Sequence, residues 1–435
     1  MRKLAIILFC VYFTAGFAQE TSEGEGFKKR VLESTEVEFL TSLYTQDGDN
    51  AAVSGGIGTE ELTDFTPTIV VSIPLNDDDV LTIDGGISAY SSASSSNINP
   101  WDGGKTADPF TASSGASSSD VWANLSGTYS HSSDDRNRIW TAKASVSSEF
   151  DYFSIGFGGS YSWLFNDKNT EVGINANIYL DTWKALYPYE LRPFQNNGSG
   201  LNSSLFRNLT GNGVYDPSFS EFDSETRNSY SVGMNFSQIL SKNLQASLSV
   251  DYVQQDGLLS TPFQRVYFAD KEDFYIENFQ LADDVEQLPD TRSKVAVGGR
   301  LNYFLNAMFV LRTYYRYYTD DWGISSNTAK VELPIKISQK FTVYPSYRYY
   351  DQTAADYFAP YEEHLSTEEF YTSDYDLSKF NANQYGIGIG YTDIFTGFHI
   401  WQFGLKSANL QYSYYKRNTG LTANLISGGV KFIME

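Results

Sequence analysis

The chain has 435 residues, with 31 Lys and Arg against 53 Asp and Glu, for a net charge of −22. Such acidity excludes a nucleic-acid binder, which needs a basic face for phosphates. Aromatic residues make up 16% of the chain, which excludes intrinsic disorder. With 34 glycines and only 12 prolines, they point to strands, because aromatic side chains favour a pleated surface.

Arg2 and Lys3 precede an apolar run from Leu4 to Phe17, and Gly16 and Ala18 supply the small residues of a cleavage site before Gln19. The pattern predicts a secretory signal peptide over 1–18, a short periplasmic segment over 19–35 and a barrel over 36–435. The run is shorter than the ~20 residues a spanning helix needs. Cys10, the only cysteine, lies inside it, so the mature chain has no disulfide and no thiolate ligand. No later apolar run could span a bilayer as a helix. The remaining way across is a β-barrel, which satisfies every backbone polar group between strands.

Sixteen runs of period-two alternation follow: 36–46, 65–75, 80–91, 121–131, 138–149, 152–165, 170–183, 227–239, 244–255, 292–304, 308–319, 323–337, 341–351, 382–394, 403–416 and 420–434. In 229–239, Tyr230, Val232, Met234 and Phe236 share one face, and Ser231, Gly233, Asn235 and Ser237 the other. An apolar face opposed to a small polar one is the pattern of a membrane barrel strand with a wet interior. Short turns such as Asn76-Asp77-Asp78-Asp79 and Asp167-Lys168-Asn169 follow even-numbered runs. The long connections, 47–64, 92–120, 184–226, 256–291 and 352–381, all follow odd-numbered ones. This asymmetry matches periplasmic turns and extracellular loops, so the expected fold is an all-β, antiparallel, up-and-down transmembrane barrel of about 16 strands. Clusters at Tyr314-Tyr315-Arg316-Tyr317-Tyr318, Tyr347-Arg348-Tyr349-Tyr350 and Tyr412-Ser413-Tyr414-Tyr415 are expected to form interfacial girdles, the alternative being a platform on which sugars or bases stack.

If apolar residues face lipid, the other register faces a lumen. On runs ten to thirteen it carries Lys294, Arg300, Arg312, Arg316, Lys330, Lys336 and Arg348. On runs three to nine it carries Asp84, Glu149, Glu171, Asp181 and Asp251, with one base, Lys143. Bases facing acids would make a transverse field that sets ion selectivity; the alternative is that they pair and fill the interior. In the first long loop, Asp47, Asp49, Glu60, Glu61 and Asp64 offer hard oxygens for Ca²⁺, although the spacing is not that of an EF-hand. No other cofactor is expected. His131, His364 and His399 fall on different turns and loops, and no catalytic set emerges.

Arg30–Leu40, Tyr44–Val53, Gly55–Asp64, Leu288–Arg292, Arg312–Tyr318 and Phe370–Asp376 resemble the domain of unknown function 3570 family over essentially the whole mature chain. The resemblance implies an outer-membrane barrel and, from its genetic neighbours, a flavin transferase and a thioredoxin-like protein, a setting of envelope redox work. The expected partners are outer-membrane lipid, the barrel assembly machinery and an envelope redox protein, with no nucleic acid. The expected role is a passive porin-like conduit for small polar solutes. The alternative is a scaffold that sheathes a redox or cofactor-handling partner.

Overall fold

The computed structural model describes residues 29–91, 119–188, 190–195, 208–217, 219, 224–276 and 279–434. The expected signal peptide lies outside them, as does nearly all of the loop expected at 92–120. Sixteen long strands follow in order: β1 Glu36–Asp47, β2 Leu62–Pro74, β3 Asp79–Ser91, β4 Ser119–Ser132, β5 Arg138–Ser148, β6 Tyr152–Phe165, β7 Thr170–Trp183 and β8 Glu225–Ser241. Then come β9 Leu244–Gly257, β10 Thr291–Phe304, β11 Val310–Asp320, β12 Ser325–Glu332, β13 Phe341–Gln352, β14 Phe380–Thr392, β15 Phe403–Arg417 and β16 Thr422–Met434. β12 resumes as Ile335–Lys336 beyond Pro334, which has no N–H to give the ladder.

Each strand pairs antiparallel with its sequence neighbour, and β1 closes the ring on β16, from Glu36 opposite Ile433 to Asp47 opposite Thr422. All the expected runs form strands, with ends displaced by a few residues. Sixteen strands at ~4.8 Å spacing and ~40° tilt make a barrel roughly 30 Å across. Tight connections fix the register at one end. Asn76, for example, accepts the backbone N–H groups of Asp78 (2.8 Å) and Asp79 (2.9 Å).

The exposed large apolar side chains follow the expected period. Ile174 and Ile178 on β7, Val232 and Met234 on β8, and Leu248 and Val250 on β9 all face outward. A contiguous apolar band of this extent is far larger than soluble surfaces carry, and it suits hydrocarbon. The tyrosine clusters differ from the girdle expectation, because consecutive strand residues point to opposite faces. Their outward half does form a girdle. Tyr315 donates to Asn327 Oδ1 (2.6 Å), Tyr347 to Asn383 Oδ1 (2.7 Å) and Tyr412 to Asn424 Oδ1 (2.8 Å), one repeated diagonal step toward the extracellular end. Tyr314, Tyr350 and Tyr415 instead line interior cavities.

The close-packed core lies outside the barrel wall. The loop after β7 contributes Leu191, Phe194 and Tyr215, and the loop after β9 contributes Phe274, Phe279 and Leu281, all buried together. A small sheet of Leu209–Thr210, Phe274–Ile276 and Phe279–Leu281 binds the two loops. In a separate two-stranded ladder of Arg265–Val266 with Asp284–Val285, Arg265 Nε donates to Glu190 Oε1 (2.6 Å) and Nη2 to Oε2 (3.0 Å), with both side chains 1% exposed. Arg265 Nη1 also donates to the carbonyl of Val53 (2.9 Å), in the loop after β1. Since β1 and β9 are diametrically opposed in a 16-stranded ring, this bond and the packing of Phe263 on Ala51 and Val53 carry the loops across the whole mouth. The loop after β13 joins through mutual backbone bonds between Gln287 and Tyr371 (3.0 and 2.8 Å). The described segments of the loops after β1, β7, β9 and β13 are thus one folded cap.

Breaking a fully buried pair costs about 3–5 kcal/mol, because one charge is left uncompensated. Arg265→Ala should therefore make residues 258–276 and 279–290 protease-sensitive while the barrel keeps its heat-modifiable migration on gels. Unchanged protease resistance would show that the pair does not hold the cap.

Candidate functional site

The inward register concentrates charge on one wall. Strand pairing places Arg300, Tyr314, Lys330, Arg348 and Gln384 in a single row across β10 to β14. The row above holds Arg316, and the row below holds Arg312 opposite Glu332. These side chains surround a cavity of about 680 Å³ with Asn302, Thr328, Ser346 and Gln411. Arg312 Nη1 (3.0 Å) and Lys330 Nζ (3.2 Å) share the Glu332 carboxylate. Arg300 lies over the Tyr314 ring at 5.2 Å, and Arg348 lies over the Tyr350 ring at 5.8 Å with its Nη1 donating to the Gln384 amide oxygen (3.4 Å). A second cavity of about 490 Å³ adjoins the first through Arg348 and Gln384 and rises toward the cap. Tyr44, Tyr350, Phe380 and Tyr415 line it, with Arg417 over Phe380 at 4.3 Å and bonded to Asp376 of the cap (2.6 Å).

The structure gathers five of the seven expected bases, Arg300, Arg312, Arg316, Lys330 and Arg348. Lys294 is not among them. It sits at the extracellular rim opposite Asp320, whose carboxylate is held by Arg292 at 2.5 Å. Lys336 lies in the periplasmic extension of β12. The five expected acids are not gathered. Glu171 lies at the periplasmic end of β7 and Asp181 near its extracellular end, accepting the Tyr152 hydroxyl. Asp84 on β3 accepts the Ser126 hydroxyl, and Asp251 on β9 faces Gly233, which leaves it room. Glu149 begins an extracellular turn, where burial raises its pKa. The lumen has one basic wall opposed by dispersed acids. Tyr314, Gln384 and Gln411 belong to the same site, and their parity with Arg312 and Arg348 carried the signal.

The first-loop acids do not converge either. Glu60 accepts the Asn50 N–H (3.1 Å), while Asp64, on β2, accepts the hydroxyls of Thr66 (2.9 Å) and Ser88. Among the described residues no three His, Cys, Asp or Glu side chains gather as a metal site, so this donor set does not fit Ca²⁺. The histidines stay apart: His131 binds Asp79 (2.6 Å), and His364 is buried in the cap between Glu368 (2.7 Å) and the Thr372 carbonyl (2.9 Å). His399 lies in the turn after β14.

A closed ring of sixteen antiparallel strands with an apolar exterior and a polar, charged interior is an outer-membrane-type β-barrel. The chain belongs to the family described as "Protein of unknown function (DUF3570)", which it matches over residues 85–431. No curated protein matches it. Among solved structures it is similar to a bacterial polysaccharide outer membrane secretin (10% identity, TM-score 0.44, covering 92% of this chain and 99% of that one). It is also similar to the TodX monoaromatic hydrocarbon channel in a deltaS2S3 mutant (10%, 0.41, 93% and 91%). The ferric enterobactin receptor of Pseudomonas aeruginosa, in a mutant form, matches at 11% identity and TM-score 0.41 over 89% of this chain and 54% of the receptor, about half its length. At these identities the likeness is one of fold alone.

Two buried carboxyls in the cap over this lumen give it an expected pH dependence. Glu286 is buried and accepts from Thr372 Oγ1 (2.5 Å) and the Thr261 N–H (2.7 Å). Burial, reinforced by the nearby Asp374 carboxylate and only partly offset by the hydrogen bonds from Thr372 and Thr261 and by Arg227, pushes its pKa from 4.5 up to about 8. Burial likewise raises Asp374 to about 6. A carboxyl that holds its proton more tightly when folded stabilises fully below its unfolded pKa, and that stability is lost as pH rises through the folded value. The cap should therefore be firmest below about pH 4 and loosen as pH rises from there to about 8, read as faster proteolysis within 258–276 and 279–290. Glu286→Gln should flatten most of that slope; a slope equal to wild type would refute the assignment.

Proposed function

We propose that the protein sits in the outer membrane as a channel for small polar solutes, with its extracellular mouth covered by the folded loops. The observation that carries this reading is the pairing of walls. An apolar outer register suits lipid, while the inner register holds two adjoining, charged cavities of about 680 and 490 Å³. An interior lined by arginines and amides favours water and ions over a dry packed core. Since the loops cross the mouth, conduction is gated by cap motion.

Purified protein in planar bilayers should show low-conductance, intermittent openings, and Arg265→Ala should lengthen them. Silence from both proteins, each verified as folded and inserted, would overturn the channel reading.

A scaffold for an envelope redox or cofactor-handling partner is the second reading, and one feature favours it. The periplasmic turn 393–402 leaves Phe395 89% and Trp401 95% exposed. Asp393 fixes that turn by accepting from Lys340 Nζ (2.7 Å), the Tyr391 hydroxyl (3.0 Å) and the Phe395 N–H (3.3 Å). On this reading both bilayer experiments are silent, and Trp401→Ser abolishes site-specific crosslinking at the turn.

A further inference from the structure

The basic row is unbalanced. Glu332 is the only carboxylate lining the first cavity among the described residues, and it bonds Arg312 and Lys330. Among those residues no salt bridge reaches Arg300, Arg316 or Arg348. Lys330 and Arg348 stand directly opposite each other in the β12–β13 ladder, a like-charge pairing that weakens a sheet. Simple exposure does not account for this row. A hydrated lumen wall can disperse its charges, as the acids of the opposite wall do, whereas here five bases face one concavity.

We propose that this cavity is a binding site for a small multivalent oxyanion, a solute bearing at least two carboxylate or phosphate groups. The inference rests on the reading of the inner register as a hydrated lumen. Arg300, Arg316 and Arg348 supply planar guanidinium forks suited to bidentate oxyanion recognition. Gln384 and Gln411 supply neutral amide donors that orient the ligand. Glu332 orients Arg312 and Lys330 and limits the net charge of the site. The volume, about 680 Å³, is that of a small-molecule pocket. A single chloride would leave most of these charges unneutralised, so the site discriminates by valence.

The test is calorimetric titration of the purified full-length barrel in neutral detergent, at fixed ionic strength, with pyrophosphate, tricarballylate and chloride as probes. Both multivalent anions, or one of them, should bind saturably and chloride should not; the stronger of the two names the source chemistry. Arg316→Ala and Arg348→Ala should each weaken binding roughly ten- to hundredfold, as expected for loss of a charge-assisted hydrogen bond. Arg316→Lys should recover part of it. Lys242→Gln, in a periplasmic turn, removes the same charge and should leave affinity unchanged. Equal affinity for chloride, or equal weakening by Lys242→Gln, would overturn the site as mere net charge. If an alanine variant misfolds, the valence comparison on wild type and Arg316→Lys still decides. Binding without bilayer conductance would sink the channel reading and keep the site. Conductance without saturable binding would do the reverse.

Discussion

Everything in this molecule depends on the backbone ladder between β1 and β16. In hydrocarbon no water can satisfy a bare strand edge, so the sheet must close, and closure needs in-register pairing from Glu36–Ile433 to Asp47–Thr422. Ion pairs on the inner face reinforce the seam: Lys431 on β16 reaches Glu38 (3.0 Å) and Glu36 (3.7 Å) on β1. Once the ring is shut, period two decides the rest. A residue's parity assigns it to lipid or lumen, and its place along the strand assigns it to a membrane depth.

Closure also explains where the close packing went. The barrel wall spends its apolar side chains on lipid, so it leaves few for a core of its own. The largest fully buried side chains are Arg265, Phe194, Phe279, Leu191 and Leu281, all in extracellular loops. Those loops meet water on their outer side and must bury their own apolar residues to stay folded. The Arg265–Glu190 pair and its bond to Val53 then act as a register pin between segments far apart in sequence. A neutral apolar pair could fill the same space but could not make the directed bonds of Arg265 to Glu190 and to the Val53 carbonyl. The cap has its own buried core, while the barrel closes through the β1–β16 ladder.

The barrel was legible in the sequence because alternation and turn chemistry are local signals. Asn76 marks its turn and Met234 its outward face without reference to any distant residue. The cap was not legible, since it rests on contacts such as Glu190–Arg265 and Gln287–Tyr371, separated by 75 and 84 residues. The lumen lies between these cases. Parity alone identified Arg300, Arg312, Arg316, Lys330 and Arg348, but membrane depth requires knowing the register between strands. That missing register is why Lys294 and Lys336 were grouped with them and why the acids were expected to face them as a set. Tyr314 was missed for a different reason: read as part of a cluster, it belonged to a girdle; read by parity, it belongs to the cavity.

The basic row is the place where local rules are broken. On the outer face, neighbouring strands are matched, with Tyr315 joined to Asn327 and Tyr347 to Asn383. On the inner face at the same strands, Lys330 opposes Arg348 and Arg316 lacks a carboxylate among the described residues. Serine or asparagine at those positions would serve a merely wet wall with no repulsion, as Ser231, Asn235 and Asn177 do on β7 and β8. A sequence that uses the neutral solution on one wall and the costly one on the other places its strain in one location. Violations of local consistency confined in this way mark function more often than neglect. Glu332 offsets the charge of Arg312 and Lys330 but not that of Arg300, Arg316 and Arg348, and on the reading proposed above a mobile anion in the lumen supplies the rest.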